Sequence, residues 1–293
     1  MNLKNLLKPR VENTLLRELA KVVDGIHYRD GRVIYVEEPD DSQSHVDLSV
    51  KNNPYEPEIL HIDCNGSTYD VNVYSIFHRY KEGDDDANPL IYALKNERGW
   101  QISKKDRGII YEHLRAIVQK IVSAIPHDVT LIMPSSNKLN TYFSKEIEKV
   151  VKGMNVCTTD IIEKRSTYEI LEELRSPRSD FFKYYHKYGE DAYNDALEEF
   201  KRYMKDMNKN HSGKFTYHCV KNSEMRNLIT NSMKAVDDEF QEATQLLNDK
   251  NIIILDDSIS RGQTIIDAVK VIGELYLPKS ITIITLFSKS YDK

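Results

Sequence analysis

Three cysteines (Cys64, Cys157 and Cys219) occur in 293 residues, an odd number at wide spacing. No disulfide framework and no metal-type cysteine pairing can be read from them, so reduced thiols are expected. The nine histidines likewise fall into no ligand spacing that suggests a metal site. No apolar run approaches the roughly twenty residues of a membrane span. Residues 1–10 carry Lys and Leu without the apolar core or cleavage site of a signal peptide. These absences set the expectation of a cytoplasmic protein without membrane contact. A positive excess is also missing: the net charge of −5 argues against a generally basic nucleic-acid binder and leaves room only for a local patch. No Ser–His–Asp or Cys–His nucleophile pattern stands out.

What is present is concentrated near the carboxyl end. Asn251-Ile252-Ile253-Ile254-Leu255-Asp256-Asp257 reads as a strand buried on both faces that ends in two carboxylates. Ser258, Ser260, Arg261, Gly262, Gln263 and Thr264 form a short polar loop, and an apolar-periodic helix is predicted over 265–275. A strand, a small-residue loop and a helix N-terminus make an anion cradle, because unpaired N–H groups and the positive dipole end converge there. Gly262 admits close approach of a phosphate, Ser260 and Thr264 add hydroxyls, and Arg261 adds a cation. Asp256 and Asp257 repel phosphate, so sugar hydroxyls or the field of a bound Mg²⁺ suit them better. The stretch describes a site for a phosphorylated sugar.

At 293 residues and 40% hydrophobic content the chain has room for a large α/β domain with an extra module. A helix is predicted over 11–23. Short strands follow at 32–38, 46–50 and 58–63, separated by turns at 30–31 and 52–54. Residues 1–80 therefore read as a helix plus a small β-rich module, and 81–293 as the α/β domain. Residues 69–80 are either a strand pair or a strand entering a helix. The acidic run at 83–86 is a solvated loop or a metal site. Residues 89–125 read as helical, 128–134 as a buried strand, and 140–151 as an amphipathic helix after the loop Ser135-Ser136-Asn137-Lys138. A strand is expected over 155–162, then Lys164 and Arg165. Residues 166–210 read as an insertion of charged helices, either a solvated hairpin or an element that gates the pocket or docks a partner. Residues 214–220 alternate like a strand, 240–247 read as a helix, and 280–287 as a final strand.

The run at 251–265 resembles the 5-phosphoribosyl-1-pyrophosphate (PRPP) motif of type I phosphoribosyltransferases, with Ser260 where that family usually has Thr. The glutamine amidophosphoribosyltransferases carry a similar Asp-Asp-Ser-Ile-x-Arg-Gly stretch. Leu90, Ile91, Leu94 and Lys95, the strand–loop–helix unit at 128–151, and Arg226-Asn227-Leu228 are similar in order to ComF-like phosphoribosyltransferases. One departure stands out: Pro134-Ser135-Ser136-Asn137 occupies the loop where that family commonly has Gly or Arg.

The resemblance implies a type I phosphoribosyltransferase-like parallel sheet flanked by helices. It implies PRPP as substrate, with Mg²⁺ on pyrophosphate oxygens and, indirectly, on Asp256 and Asp257. Those two acids would be the catalytic pair. Ser258 to Thr264 would hold the 5′-phosphate, Ser135 to Lys138 the pyrophosphate, and Lys164 and Arg165 would either stabilise departing pyrophosphate or form a plain surface pair. The implied activity is pentosyl transfer from PRPP to a nucleobase-like or other acceptor, within nucleotide metabolism. Two alternatives stay open: a catalytically silent sensor of PRPP or a nucleotide, and a phosphoribosyltransferase-like effector of a bacterial antiviral, retron-type defence system. A protein partner would use the helical insertion or the amino-terminal module.

Overall fold

The computed structural model describes residues 26–29, 32–35, 46–47, 57–64, 66–81, 89–97, 99–135, 138–151, 155–157, 161–236, 240–259 and 262–292. The predicted helix at 11–23, the turns at 30–31 and 52–54, the acidic run at 83–86, and Ser136, Asn137, Ser260 and Arg261 lie outside the described residues.

The first strands are β1 (Ile26–Arg29), β2 (Arg32–Tyr35), β3 (Val46–Asp47), β4 (Glu58–Cys64) and β5 (Ser67–Lys81). Then come α1 (Pro89–Lys95), β6 (Gln101–Ile102), α2 (Lys104–Ala124), β7 (Val129–Ile132), α3 (Leu139–Glu148), β8 (Asn155–Cys157) and β9 (Ile162–Lys164). A helical stretch contains α4 (Thr167–Arg175), α5 (Asp180–His186), α6 (Glu190–Asn210), a 3₁₀ turn (Tyr217–Cys219) and α7 (Ser223–Leu228). The chain closes with β10 (Met233–Ala235), α8 (Phe240–Leu247), β11 (Asn251–Ser258), α9 (Gln263–Tyr276) and β12 (Ser280–Asp292).

The main sheet has the order β3-β5-β12-β11-β7-β8, and β4 also pairs with β5. From β5 to β8 every neighbouring pair is parallel, whereas β3 and β4 run antiparallel to β5. Burial of β11 on both faces follows from its residues. Ile252 and Ile254 join one core with Ala243 and Leu247 of α8 and with Ile265, Val269 and Ile272 of α9. Ile253 and Leu255 join the other with Leu90 and Leu94 of α1, Leu114 and Val118 of α2, and Phe143 and Ile147 of α3. Helices therefore cover both faces, as a parallel sheet requires. Among the described residues no helix is long and apolar enough to cross a membrane.

Several expectations need correction. Residues 69–80 belong to the single continuous strand β5, whose register runs from Thr282↔Asn72 to Asp292↔Lys81 along β12. The expected module at 1–80 consequently does not end before the α/β sheet begins: β4 and β5 are part of that sheet. Residues 89–125 are not one helical run. Gly99, at φ +75, turns the chain into the short β6, and Ser103 then caps α2 by accepting from the Asp106 N–H at 3.0 Å.

The insertion is more than a solvated hairpin. It starts at a capping box, in which the Ser166 hydroxyl accepts from the Glu169 N–H and the Glu169 carboxylate accepts from the Ser166 N–H. It continues past residue 210 to Ile229, and it has a core of its own. Ile170, Phe181, Phe200, Met207, Phe215 and Met225 are each no more than 1% exposed. The antiparallel ribbon β9–β10 forms its base. Lys234 of that ribbon bonds Glu169 at 2.7 Å and, with the Ser166 hydrogen bonds, holds the Glu169 carboxyl down to about 2.

Candidate functional site

β7 leads through α3 to β8 on one side, and β11 leads through α9 to β12 on the other. α3 packs in one core and α9 in the opposite one. The strand order therefore reverses between β7 and β11, and a crevice opens outside their carboxyl ends, where open α/β sheets bind ligands. Asp256, Asp257 and Ser258 stand at that end of β11.

The two acids have different surroundings. Asp257 Oδ2 pairs with Lys95 Nζ at 2.7 Å, and its Oδ1 accepts from the Ser258 hydroxyl at 2.8 Å. Asp256 Oδ1 accepts from Asn140 Nδ2 at 3.1 Å and from the Asp257 N–H at 2.9 Å. The same Asn140 nitrogen donates to the Met133 carbonyl, which orients the amide; its Oδ1 is buried with no hydrogen-bond partner among the described residues. Burial first, and then the charge of Asp257, push the Asp256 carboxyl up to about 7. Burial pulls the Lys164 ammonium down, and the field of Asp256 and Asp257 acts in the opposite direction. The site thus holds two carboxylates with two lysines close by, one in a direct ion pair and one acting through space.

The Asp256 side forms a pocket with the start of α9. Its lining includes Asp256, Ser258, Gly262, Gln263, Thr264 and Ile265 on the sheet side. Tyr217, His218, Arg226 and Asn227, all from the helical insertion, form its roof. The cavity itself holds about 130 Å³ and opens to solvent, so a sugar phosphate bound there would extend beyond it. Gly262 sits at φ +75 just before α9, a conformation that a side chain would strain. Among the described residues no side chain caps α9, which leaves its leading N–H groups to an anion. Arg226 donates to the Val220 carbonyl at 3.0 Å and the Lys221 carbonyl at 3.3 Å, which fixes a cation in the roof.

One buried carboxylate joins floor and roof. Asp267 of α9 accepts from the Tyr217 hydroxyl at 2.7 Å, from Gln263 Nε2 at 2.8 Å, and from the Ser232 N–H and hydroxyl at 2.7 and 2.5 Å. Burial, reinforced by the Asp267 charge, raises the Tyr217 hydroxyl well above its ordinary pKa. Asp267→Asn keeps the volume but replaces an acceptor of four hydrogen bonds by a group that must itself donate. It should cost about 2–3 kcal/mol in urea denaturation. Unchanged stability would mean the roof is held by packing alone.

The structure brings together Asp256, Ser258, Gly262, Gln263 and Thr264 around one pocket and sets Lys164 in the field of the acids. Asp257 stands beside them but is turned to Lys95. Gln263 lines the pocket with its amide engaged by Asp267. Ser135 and Lys138 are exposed at the end of β7 and do not line the pocket. Arg165 is placed elsewhere: it pairs with Glu173 and donates to the Asn231 carbonyl at 3.0 Å and the Glu169 carbonyl at 3.1 Å, so it braces the insertion. Sequence reasoning missed Asn140, Asp267 and Tyr217 as site residues. A polar Asn just inside an amphipathic helix that follows a strand-end loop was the available signal for the first. No protein-family model, curated protein or solved structure matches this chain.

Proposed function

We propose that this crevice binds a 5-phosphorylated ribose, with PRPP as the substrate, and that the protein transfers its phosphoribosyl group to a nucleobase-like or other nucleophilic acceptor. The observation that carries this reading is the reversal point between β7 and β11, where a strand-end carboxylate faces an uncapped helix N-terminus across one pocket. The order of the motif in the sequence, which resembles the type I phosphoribosyltransferases, supports it further. The 5′-phosphate would sit on the first N–H groups of α9 and the Thr264 hydroxyl, with Arg226 opposite. Asp256 would accept from a ribose hydroxyl. Buried Cys64 and Cys219 are free thiols, which suits a cytoplasmic location.

Asp256 supplies a carboxylate oxygen, the donor type Mg²⁺ takes; its Oδ2 and ligand phosphate oxygens would hold the ion. When bound, Mg²⁺ supplies charge neutralisation to the pyrophosphate leaving group. In the transfer, the bond between ribose C1 and the pyrophosphate oxygen breaks and its electron pair leaves with pyrophosphate. The acceptor's lone pair forms the new bond at C1, and the acceptor then loses its proton to solvent. Positive charge develops on the ribose, as in glycoside cleavage. Asp256 in its ionised form stabilises that charge, and Lys164 faces the departing anion.

The test is incubation of the full chain with Mg²⁺, PRPP and a panel of acceptors, with pyrophosphate release as the readout. Release that requires both an acceptor and Asp256 is expected. Binding without release for any acceptor would favour the silent sensor, and absence of PRPP binding would end the proposal.

A further inference from the structure

The turn that roofs the pocket carries a second convergence of ligand atoms. His211 follows the last residue of α6, and the 3₁₀ turn brings His218 and Cys219 against it. One ligand atom from each of the three lies within 4.8 Å of the others. The two imidazole rings stand at 83° with centroids 5.0 Å apart. Asp206, earlier on α6, lies near the Cys219 thiol and accepts from Asn210 Nδ2 at 2.6 Å. An ordinary packing of a thiol and two imidazoles accounts for most of this, but not for His211 Nδ1, which is buried with no hydrogen-bond partner among the described residues. A buried polar nitrogen left bare is a standing cost that a ligand would remove.

We infer that His211, His218 and Cys219 bind a Zn²⁺ ion, with the fourth position left to water. Two imidazoles and a thiolate form an N/S set that suits zinc in a tetrahedral site and not Mg²⁺. Bond lengths of about 2.0 Å to nitrogen and about 2.3 Å to sulfur put tetrahedral ligand atoms about 3.3–3.6 Å apart, so closure from 4.8 Å needs a movement of about 1 Å. The exposed His218, on a short turn, can supply that movement and gives the ion a way in. Zinc here would fasten the turn that presents Tyr217 and His218 to the pocket onto the end of α6. The site stands independently of any phosphoribosyl chemistry.

The test uses the full chain, stripped with a chelator and titrated with Co²⁺ and then Zn²⁺, with no sugar phosphate present. One equivalent of Co²⁺ should give the intense visible bands of tetrahedral coordination with a near-ultraviolet thiolate charge-transfer band, and Zn²⁺ should displace it. Cys219→Ser should lose the thiolate band. His218→Ala, at an exposed position that leaves the fold intact by circular dichroism, should weaken Zn²⁺ binding at least tenfold. Absence of tetrahedral bands in the wild type, a thiolate band that survives Cys219→Ser, or unchanged affinity in His218→Ala would each overturn the assignment.

Discussion

Asp256→Asn should stabilise the ligand-free protein by about 2–4 kcal/mol at pH 8, leave it unchanged near pH 4, and weaken PRPP binding at least tenfold. The signs follow from the carboxyl's rise from its ordinary 3.8 to about 7, caused by burial and the neighbouring Asp257. Below about pH 4 the group is protonated in folded and unfolded chains alike and contributes nothing. Between about 4 and 7 the unfolded chain has released the proton and the folded chain retains it, so wild-type stability falls as pH rises. Above about 7 the loss is complete. The amide avoids that loss and keeps Oδ1 as the acceptor for Asn140. Loss of the charge removes the group proposed to face the ribose and Mg²⁺. Thermal denaturation across this pH range, paired with calorimetric titration, separates the two effects. A mutant less stable than wild type at pH 8 would place Asp256 in a supporting role instead.

Lys95→Met should act in the opposite direction. Lys95 and Asp257 form a pair with side chains only 15% and 11% exposed, so removing the lysine leaves a carboxylate without its counter-charge. The expected loss is about 3 kcal/mol, read from the denaturation midpoint. The double substitution Lys95→Met with Asp257→Asn should recover most of it, because a neutral pair of similar size needs no counter-charge. If the double mutant is as unstable as the single one, packing of the lysine stem is what α1 provides. The pair also explains why two adjacent acids can do different work. Asp257 is held by α1 on one face of β11, and Asp256 is left to the pocket on the other.

The sheet's centre was legible because its cause is local. Ile252 to Leu255 must be buried on both faces, and a strand between two helical layers is the arrangement that does this. The strand-to-helix passage after β11 was legible for the same reason, since strand, Gly262 and helix follow one another in the chain. The roof was not. Residues 214–220 alternate as a strand would, with Phe215, Tyr217 and Cys219 on one side. The Cys219 N–H instead bonds the Thr216 carbonyl and the Val220 N–H bonds the Tyr217 carbonyl. Phe215, Cys219 and Val220 are then buried together in the insertion's core. Packing against α6 overrides the period-two pattern. The Lys95–Asp257 pair and the cluster of His211, His218 and Cys219 depend on which helix lies beside which turn, and residue spacing does not carry that information. Asn140 and Asp267 reach the site by the same route.

Hydrogen exchange of the full chain with and without saturating Mg²⁺ and PRPP tests the central claim most directly, because it locates the ligand without assuming an acceptor. Protection is expected in the peptide spanning 258–265, where the first N–H groups of α9 would meet the phosphate, and in 217–227, where the roof would close on it. The strands β4 and β5 should exchange as before. Protection confined to other regions, or none at ligand concentrations that saturate binding, would contradict a ribose-phosphate site at the reversal point between β7 and β11.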